Sequence, residues 1–171
     1  LDAVRNGKKV TVNVELRARF DESNNIEWSK KMTDAGIKVL FGINSLKVHS
    51  KLCLVNRVEQ GKIAKYAQVS TGNFNEDTAK MYTDFAFFTK NQLIAEEVDN
   101  VFKFIEHSYK DVHFDHLLIS PINQRKRLNQ LLKNEIKNAK ANLPAKIILK
   151  MNNLVDRKLI DKLYAASDAG V

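Results

Sequence analysis

Cysteine, proline and glycine are all scarce in this 171-residue chain, which has one, two and six of them. The last two counts exclude collagen-like and low-complexity classes, and the first excludes a disulfide scaffold. Cys53 cannot form a disulfide within the chain, which points to an intracellular protein. No apolar run approaches the roughly 18 residues needed to cross a bilayer, and no signal peptide opens the sequence. An initiator methionine is missing as well, so the chain reads as a piece excised from something longer. What is present is a globular composition: the hydrophobic fraction of 44% can bury a core and excludes disorder.

The net charge of +8 is unevenly placed. Residues 1–116 hold 17 basic and 16 acidic side chains, whereas residues 117–171 hold 11 and 4. A solvated helix face with surplus lysine explains this as well as contact with a polyanion does, be it nucleic acid, an anionic membrane or a phosphate polymer.

Periodicity divides the chain into alternating strands and helices. Asn6-Gly7 signals a turn, and residues 9–16 (KVTVNVEL) alternate at strand period. Ser23 and Asn24 offer helix N-caps, and the helix they open stops at Gly36. Strands are predicted at 37–41, 46–55, 63–69 and 82–88, the middle two joined by a hairpin at Gln60-Gly61. The spacing of Leu93, Ile94, Val98, Val101, Phe102 and Ile105 predicts a helix. Residues 107–119 read as a linker or strap. Ser120 and Pro121 fit the N-cap and first position of another helix, ended by Pro144. A strand at 146–151 and a helix at 156–166 follow. The alternation says α/β, with one domain over residues 1–116 and the truncated start of a second over 117–171.

The most informative stretch for chemistry is residues 46–55, LKVHSKLCLV. His49 and Lys51 are two apart, so on a strand both leave by one face. A neutral imidazole beside an ammonium group suits attack on phosphorus, with the lysine holding phosphate oxygens. Taken alone, the triplet is weak evidence and more often describes a strand-edge histidine beside a solvated lysine. A second signal is the loop Thr71-Gly72-Asn73-Phe74-Asn75, where backbone N–H groups and the amides of Asn73 and Asn75 can meet phosphate oxygens. An ordinary β-turn has the same composition. His107, His113 and His116, with Asp111 and Asp115 between them, offer metal-ligand chemistry but neither regular structure nor cysteines to support a site. Trp28 and the phenylalanines at 85, 87, 88, 102 and 104 are expected in the core, and Cys53 is expected buried and inert.

A His-x-Lys triplet followed about 20 residues later by a Gly-Asn-x-Asn loop resembles the half-motif of the phospholipase D superfamily. The longer strings VELRARFDESNNIEW, LKVHSKL, STGNFNEDTAKMYTDF and LKMNNLVDRKLIDKLYAAS resemble the catalytic C-terminal part of the bacterial polyphosphate kinase family. The resemblance implies a phospholipase D-like mixed sheet flanked by helices. It implies transfer of the ATP γ-phosphate to inorganic polyphosphate through a phosphohistidine at His49, with Mg²⁺ accompanying the nucleotide. Arg19 matches the family's magnesium–phosphate site, where a guanidinium is better suited to phosphate oxygens than to the metal. Tyr82 matches a nucleotide-contacting tyrosine. Arg17 and Arg19 share a strand face at a strand's C-terminal end, where α/β ligands tend to bind. A second histidine and a further arginine are implied beyond Val171, and another arginine before Leu1. The resemblance also implies a cytoplasmic protein, at most peripheral to the inner membrane, homo-oligomeric at full length and without nucleic acid as partner. One departure bears on the reaction class: the nuclease and phospholipase pattern has an aspartate where Asn56 stands here. A phosphodiesterase and a non-catalytic polyanion-binding module remain the alternative readings.

Overall fold

The computed structural model describes residues 1–16, 22–108 and 111–171, which divide into two units, residues 1–116 and 117–171. The first unit opens with a single helical turn, α1 (Asp2–Arg5), closed by the turn at Asn6-Gly7. Strand β1 (Thr11–Asn13) is followed by helix α2 (Glu22–Asp34) and strand β2 (Lys38–Leu40). The two strands pair in parallel from Thr11↔Lys38 to Asn13↔Leu40, an arrangement that needs a crossover such as α2 between them. The strand expected over 9–16 is therefore shorter, because its ladder is only as long as β2. Ser23 and Asn24, expected as caps, lie inside the first turn of α2. Its C-terminus is as expected: Gly36 takes φ +85°, its N–H bonds to Thr33 O, and the Ile37 N–H reaches back to Met32 O.

Strands β3 (Lys51–Glu59) and β4 (Lys62–Ser70) form an antiparallel hairpin, with Glu59 opposite Lys62. Gln60 and Gly61 take φ +50° and +75°, the pair of positive angles that matches a tight turn to strand twist. A short helix, α3 (Glu76–Met81), follows that the sequence does not advertise, and strand β5 (Ala86–Thr89) then pairs with the far edge of β4. The expected α/β class, with parallel and antiparallel strands flanked by helices, stands; among the described residues the strands form two small sheets, β1-β2 and β3-β4-β5.

Helix α4 (Gln92–Glu106), capped by the Asn91 side chain, lies on β4 and β3. Ala95, Val98, Val101 and Ile105 form its buried stripe, facing Ala67 of β4. A charged cluster pins the same contact. Lys65 of β4 is buried and reaches Asp99 at 2.6 Å and Glu96 at 2.7 Å. Burial alone would lower the proton affinity of Lys65, but hydrogen bonds to Asp99 and Glu96 outweigh it and hold the ammonium above its ordinary pKa. The strap folds back here too. Buried Glu97 accepts from the N–H groups of Asp115 and His116 and lies 2.8 Å from His116 Nδ1, while Phe114 enters the core.

The aromatic expectation is overturned. Trp28, Phe85, Phe87 and Phe88 are exposed, Phe102 and Phe104 are half-buried, and Cys53 is exposed. Helix α4 covers one face of the three-stranded sheet, while Cys53 and Phe88 stand on the other.

In the second unit, helix α5 (Gln124–Lys140) starts later than expected. Residues 120–123 form a turn, the Ser120-Pro121 peptide is cis, and Ile119 O accepts from the Asn123 and Gln124 N–H groups. Beyond its C-cap at Ala141 the helix is closed by Asn142, φ +55°, two residues before Pro144, with the Leu143 N–H bonded to Asn138 O. The strand expected over 146–151 is not formed, because a strand needs a neighbour and none is present among the described residues of this unit. Helix α6 (Arg157–Asp168) begins as expected, with the Asp156 carboxylate accepting from the Leu159 N–H. Leu132 and Ala166 are the buried apolar residues of the α5–α6 pair.

Candidate active site

Three chain segments meet at one end of the three-stranded sheet. The register places Lys51, Ser70 and Ala86 side by side. His49 therefore precedes the first strand, the Thr71–Asn75 loop leaves the second, and Asp84 and Phe85 enter the third. The strand expected over 46–55 begins only at Lys51, because β4 ends opposite it and leaves residues 46–50 without a partner. The preceding chain folds on itself through an Ile43–Leu46 bridge, with Ser45 at φ +67°. His49 is thus on a loop, and a shared strand face is not what brings it to Lys51.

The pair meets all the same. Lys51 Nζ lies 3.1 Å from His49 Nδ1 and 3.3 Å from Nε2, and donates to the His49 carbonyl oxygen at 2.7 Å. The Lys51 charge beside the ring lowers the histidine's proton affinity, and partial burial and Lys47 add to the effect. Burial in turn lowers the proton affinity of Lys51; Asp84 opposes that shift and Lys47 reinforces it. The result is an imidazole held in its neutral, nucleophilic form beside a cation suited to an anionic substrate.

This arrangement carries a titration prediction. His49 should titrate below the ordinary histidine value of 6.5. Lys51→Gln should raise that pKa, since removing a positive neighbour makes protonation easier. Because the folded value is the depressed one, the group favours the folded state above pH 6.5, and this is lost as acid protonates the ring. The imidazole proton resonances followed against pH in both proteins check it; an unchanged midpoint would separate the two groups.

The loop after β4 is more occupied than its composition suggests. The Gly72 N–H is taken by Ser70 Oγ at 3.1 Å, and Asn75 Oδ1 caps α3 by accepting from the Asp77 and Thr78 N–H groups. Asn73 is exposed, and Tyr82 is exposed at the C-terminus of α3. Arg17 and Arg19 lie outside the described residues.

Sequence reasoning missed Asp84. Its carboxylate accepts from Thr71 Oγ1 at 2.9 Å, and the Thr71 oxygen in turn accepts from the Phe85 N–H. A Cβ on residue 72 would stand 2.4 Å from Asp84 Oδ2, so glycine there permits the close approach. Asp84 is thus the carboxylate that faces Lys51. Its string, M-Y-T-D-F, is visible in the sequence, but its partnership with Lys51 across 33 residues is not. The other histidines pair with carboxylates, His113 with Asp115 and His116 with Glu97, and among the described residues no group of three metal-ligating side chains forms.

Comparison with known proteins matches residues 1–111 to the family model of polyphosphate kinase C-terminal domain 1 and residues 117–171 to that of C-terminal domain 2. A polyphosphate kinase of Vibrio parahaemolyticus is 54% identical over all 171 residues, which make up 25% of that protein. That of Escherichia coli strain K12 is 52% identical over the same span, again 25% of its length. The crystal structure of polyphosphate kinase from Porphyromonas gingivalis is similar over 99% of this chain and 28% of that one, with TM-score 0.85 at 39% identity. The chain therefore spans about a quarter of the length of the curated relatives it matches. With both of its units matched and half of its residues identical to those relatives, this chain belongs to the polyphosphate kinase family.

Proposed function

We propose that the chain carries the phosphoryl-accepting histidine of an ATP–polyphosphate phosphotransferase. The observation that carries this reading is the contact of Lys51 Nζ with the His49 ring at 3.1 Å. The unprotonated ring nitrogen of His49 attacks the γ-phosphorus of ATP. The bond to the β,γ-bridging oxygen breaks, and ADP leaves with the electron pair. The terminal oxygen of a polyphosphate chain then attacks the phosphoramidate, the N–P bond breaks, and the imidazole is restored. Lys51 bonds the non-bridging oxygens as charge moves onto them, and Asp84 steadies the lysine. Arg19 takes part in the same work, and Tyr82, Asn73 and Asn75 contact the nucleotide or its phosphates.

Mg²⁺ enters as part of the nucleotide substrate. It favours carboxylates together with substrate phosphates, whereas among the described residues the groups gathered around His49 are Lys47, Lys51 and one carboxylate, Asp84. These residues do not make a magnesium site of their own; they suit the outer oxygens of a phosphate. The reaction, its cytoplasmic setting and a homo-oligomeric full-length enzyme belong to this proposal. Among the described residues no helix is long and apolar enough to cross a membrane.

The kinase reading is tested by ADP formation from ATP with polyphosphate as acceptor, in the full-length protein and its His49→Ala variant. Activity that survives the substitution contradicts it. The phosphodiesterase alternative turns on Asn56. That residue is five positions past Lys51 on β3, hence roughly 17 Å along the strand and on the opposite sheet face. An aspartate there cannot reach the His49–Lys51 pair, so Asn56→Asp is expected to release no nitrophenol from a model phosphodiester. Measurable release would show that position 56 sets the reaction class.

A further inference from the structure

In the second unit, α5 and α6 flank a groove of about 410 Å³. Asn129 and Lys133 line it from α5, and Lys158, Asp161, Lys162 and Ala165 from α6. Spacings of four on the first helix, and of three, four and seven on the second, make each set one face of its helix. Three ammonium groups against one carboxylate leave the groove with an excess of two positive charges. Among the described residues that excess is not consumed by ion pairs. Asp156 pairs with Arg125 and caps α6, Glu135 accepts from the Lys146 N–H, and none of the described ion pairs involves Lys133, Lys158 or Lys162.

We propose that this groove is a binding site for an inorganic polyphosphate chain, an inference that rests on the kinase reading above. Like charge gathered in a concave surface focuses its field outward and raises the local concentration of a polyanion. Lysines are compact point charges without the fixed fork of arginine, so they suit a run of equivalent phosphates that can slide past them. A single-stranded nucleic acid is the competing polyanion. Sites for it interleave cations with aromatic stacking platforms, and no aromatic side chain lines this groove. Tyr164, the aromatic residue of α6, is 70% exposed and stands outside the lining.

The test is titration of the 171-residue chain with fluorescently labelled polyphosphate across a range of salt. The triple variant Lys133→Gln, Lys158→Gln, Lys162→Gln should weaken binding at least tenfold. It should also make the log–log salt dependence shallower by roughly two, about 0.7 for each lost contact. A charge-matched control, Lys8→Gln, Lys30→Gln, Lys62→Gln, should change affinity less than threefold. Asp161→Asn should tighten binding, a gain that misfolding cannot imitate. Equal losses in the two triple variants, or no gain from Asp161→Asn, would overturn the proposal. A single-stranded oligonucleotide bound as tightly through the same three lysines would overturn it in favour of nucleic acid. The kinase reading fails separately: loss of groove binding with phosphohistidine still formed at His49 marks the three lysines as the site. An unlabelled His49 in a chain that still binds through the groove refutes the kinase reading and leaves the groove standing.

Discussion

Lys51→Ala in the full-length protein is expected to lower turnover about 10²–10³-fold, with a much smaller rise in the Michaelis constant for ATP. The asymmetry follows from when the interaction matters. In the resting site the ammonium group contacts the His49 ring and carbonyl. In the proposed reaction its strongest interaction is reserved for the phosphoryl oxygens as the bond to ADP breaks, so the loss is expected to fall on the transition state rather than on binding. A preorganised donor of this kind contributes roughly 3–4 kcal/mol. Lys51→Ala also removes the charge that keeps His49 neutral, so the defect should deepen toward acidic pH. Unchanged turnover would take Lys51 out of the chemistry.

The second large effect concerns stability. Lys65→Met is expected to destabilise the chain by about 3 kcal/mol, at the low end for breaking a buried ion pair. Deleting the ammonium leaves Asp99 and Glu96 beside a buried position. Two features keep the cost from being higher: Glu96 is half exposed, and Asp99 retains Lys103 at 3.0 Å. Burial alone would raise the Asp99 pKa, yet hydrogen bonds from Lys65 and Lys103 hold it below 3.8. Its contribution is therefore present above pH 3.8 and lost as the pH falls through the depressed value. Thermal unfolding should show a midpoint lower by roughly 6–12 °C for a chain of this size. Adding Asp99→Leu should recover part of the loss, since an apolar pair replaces an unbalanced charge. A Lys65→Met midpoint within 2 °C of the parent would show that α4 is held by its apolar stripe alone.

That stripe was legible from spacing, because Val98, Val101 and Ile105 recur at helical period whatever they pack against. The hairpin was legible for an equally local reason, since a Gln-Gly pair tolerates the two positive φ angles. Strand limits were not, because a ladder ends where its partner ends. Residues 46–50 have strand-like composition, but Ser70 is the last residue of β4, and only Lys51 faces it. Helix α3 is six residues long, too short for periodicity to register, although its cap Asn75 was on view as a loop residue. The phenylalanines of β5 misled because an alternating strand says which residues share a face and not whether anything covers it. In the site itself, proximity in sequence revealed His49 with Lys51. Asp84 required the fold, since only the pairing of β4 with β5 brings it beside Gly72 and Lys51. Arg19 rests on the family resemblance.

The most direct test of the central claim is to incubate the full-length protein with γ-labelled ATP and locate the label by peptide mapping. The account predicts an acid-labile, base-stable phosphoryl group on His49, absent from His49→Ala and discharged by added polyphosphate or ADP. Label on any other residue, or polyphosphate synthesis without a labelled histidine, would contradict it.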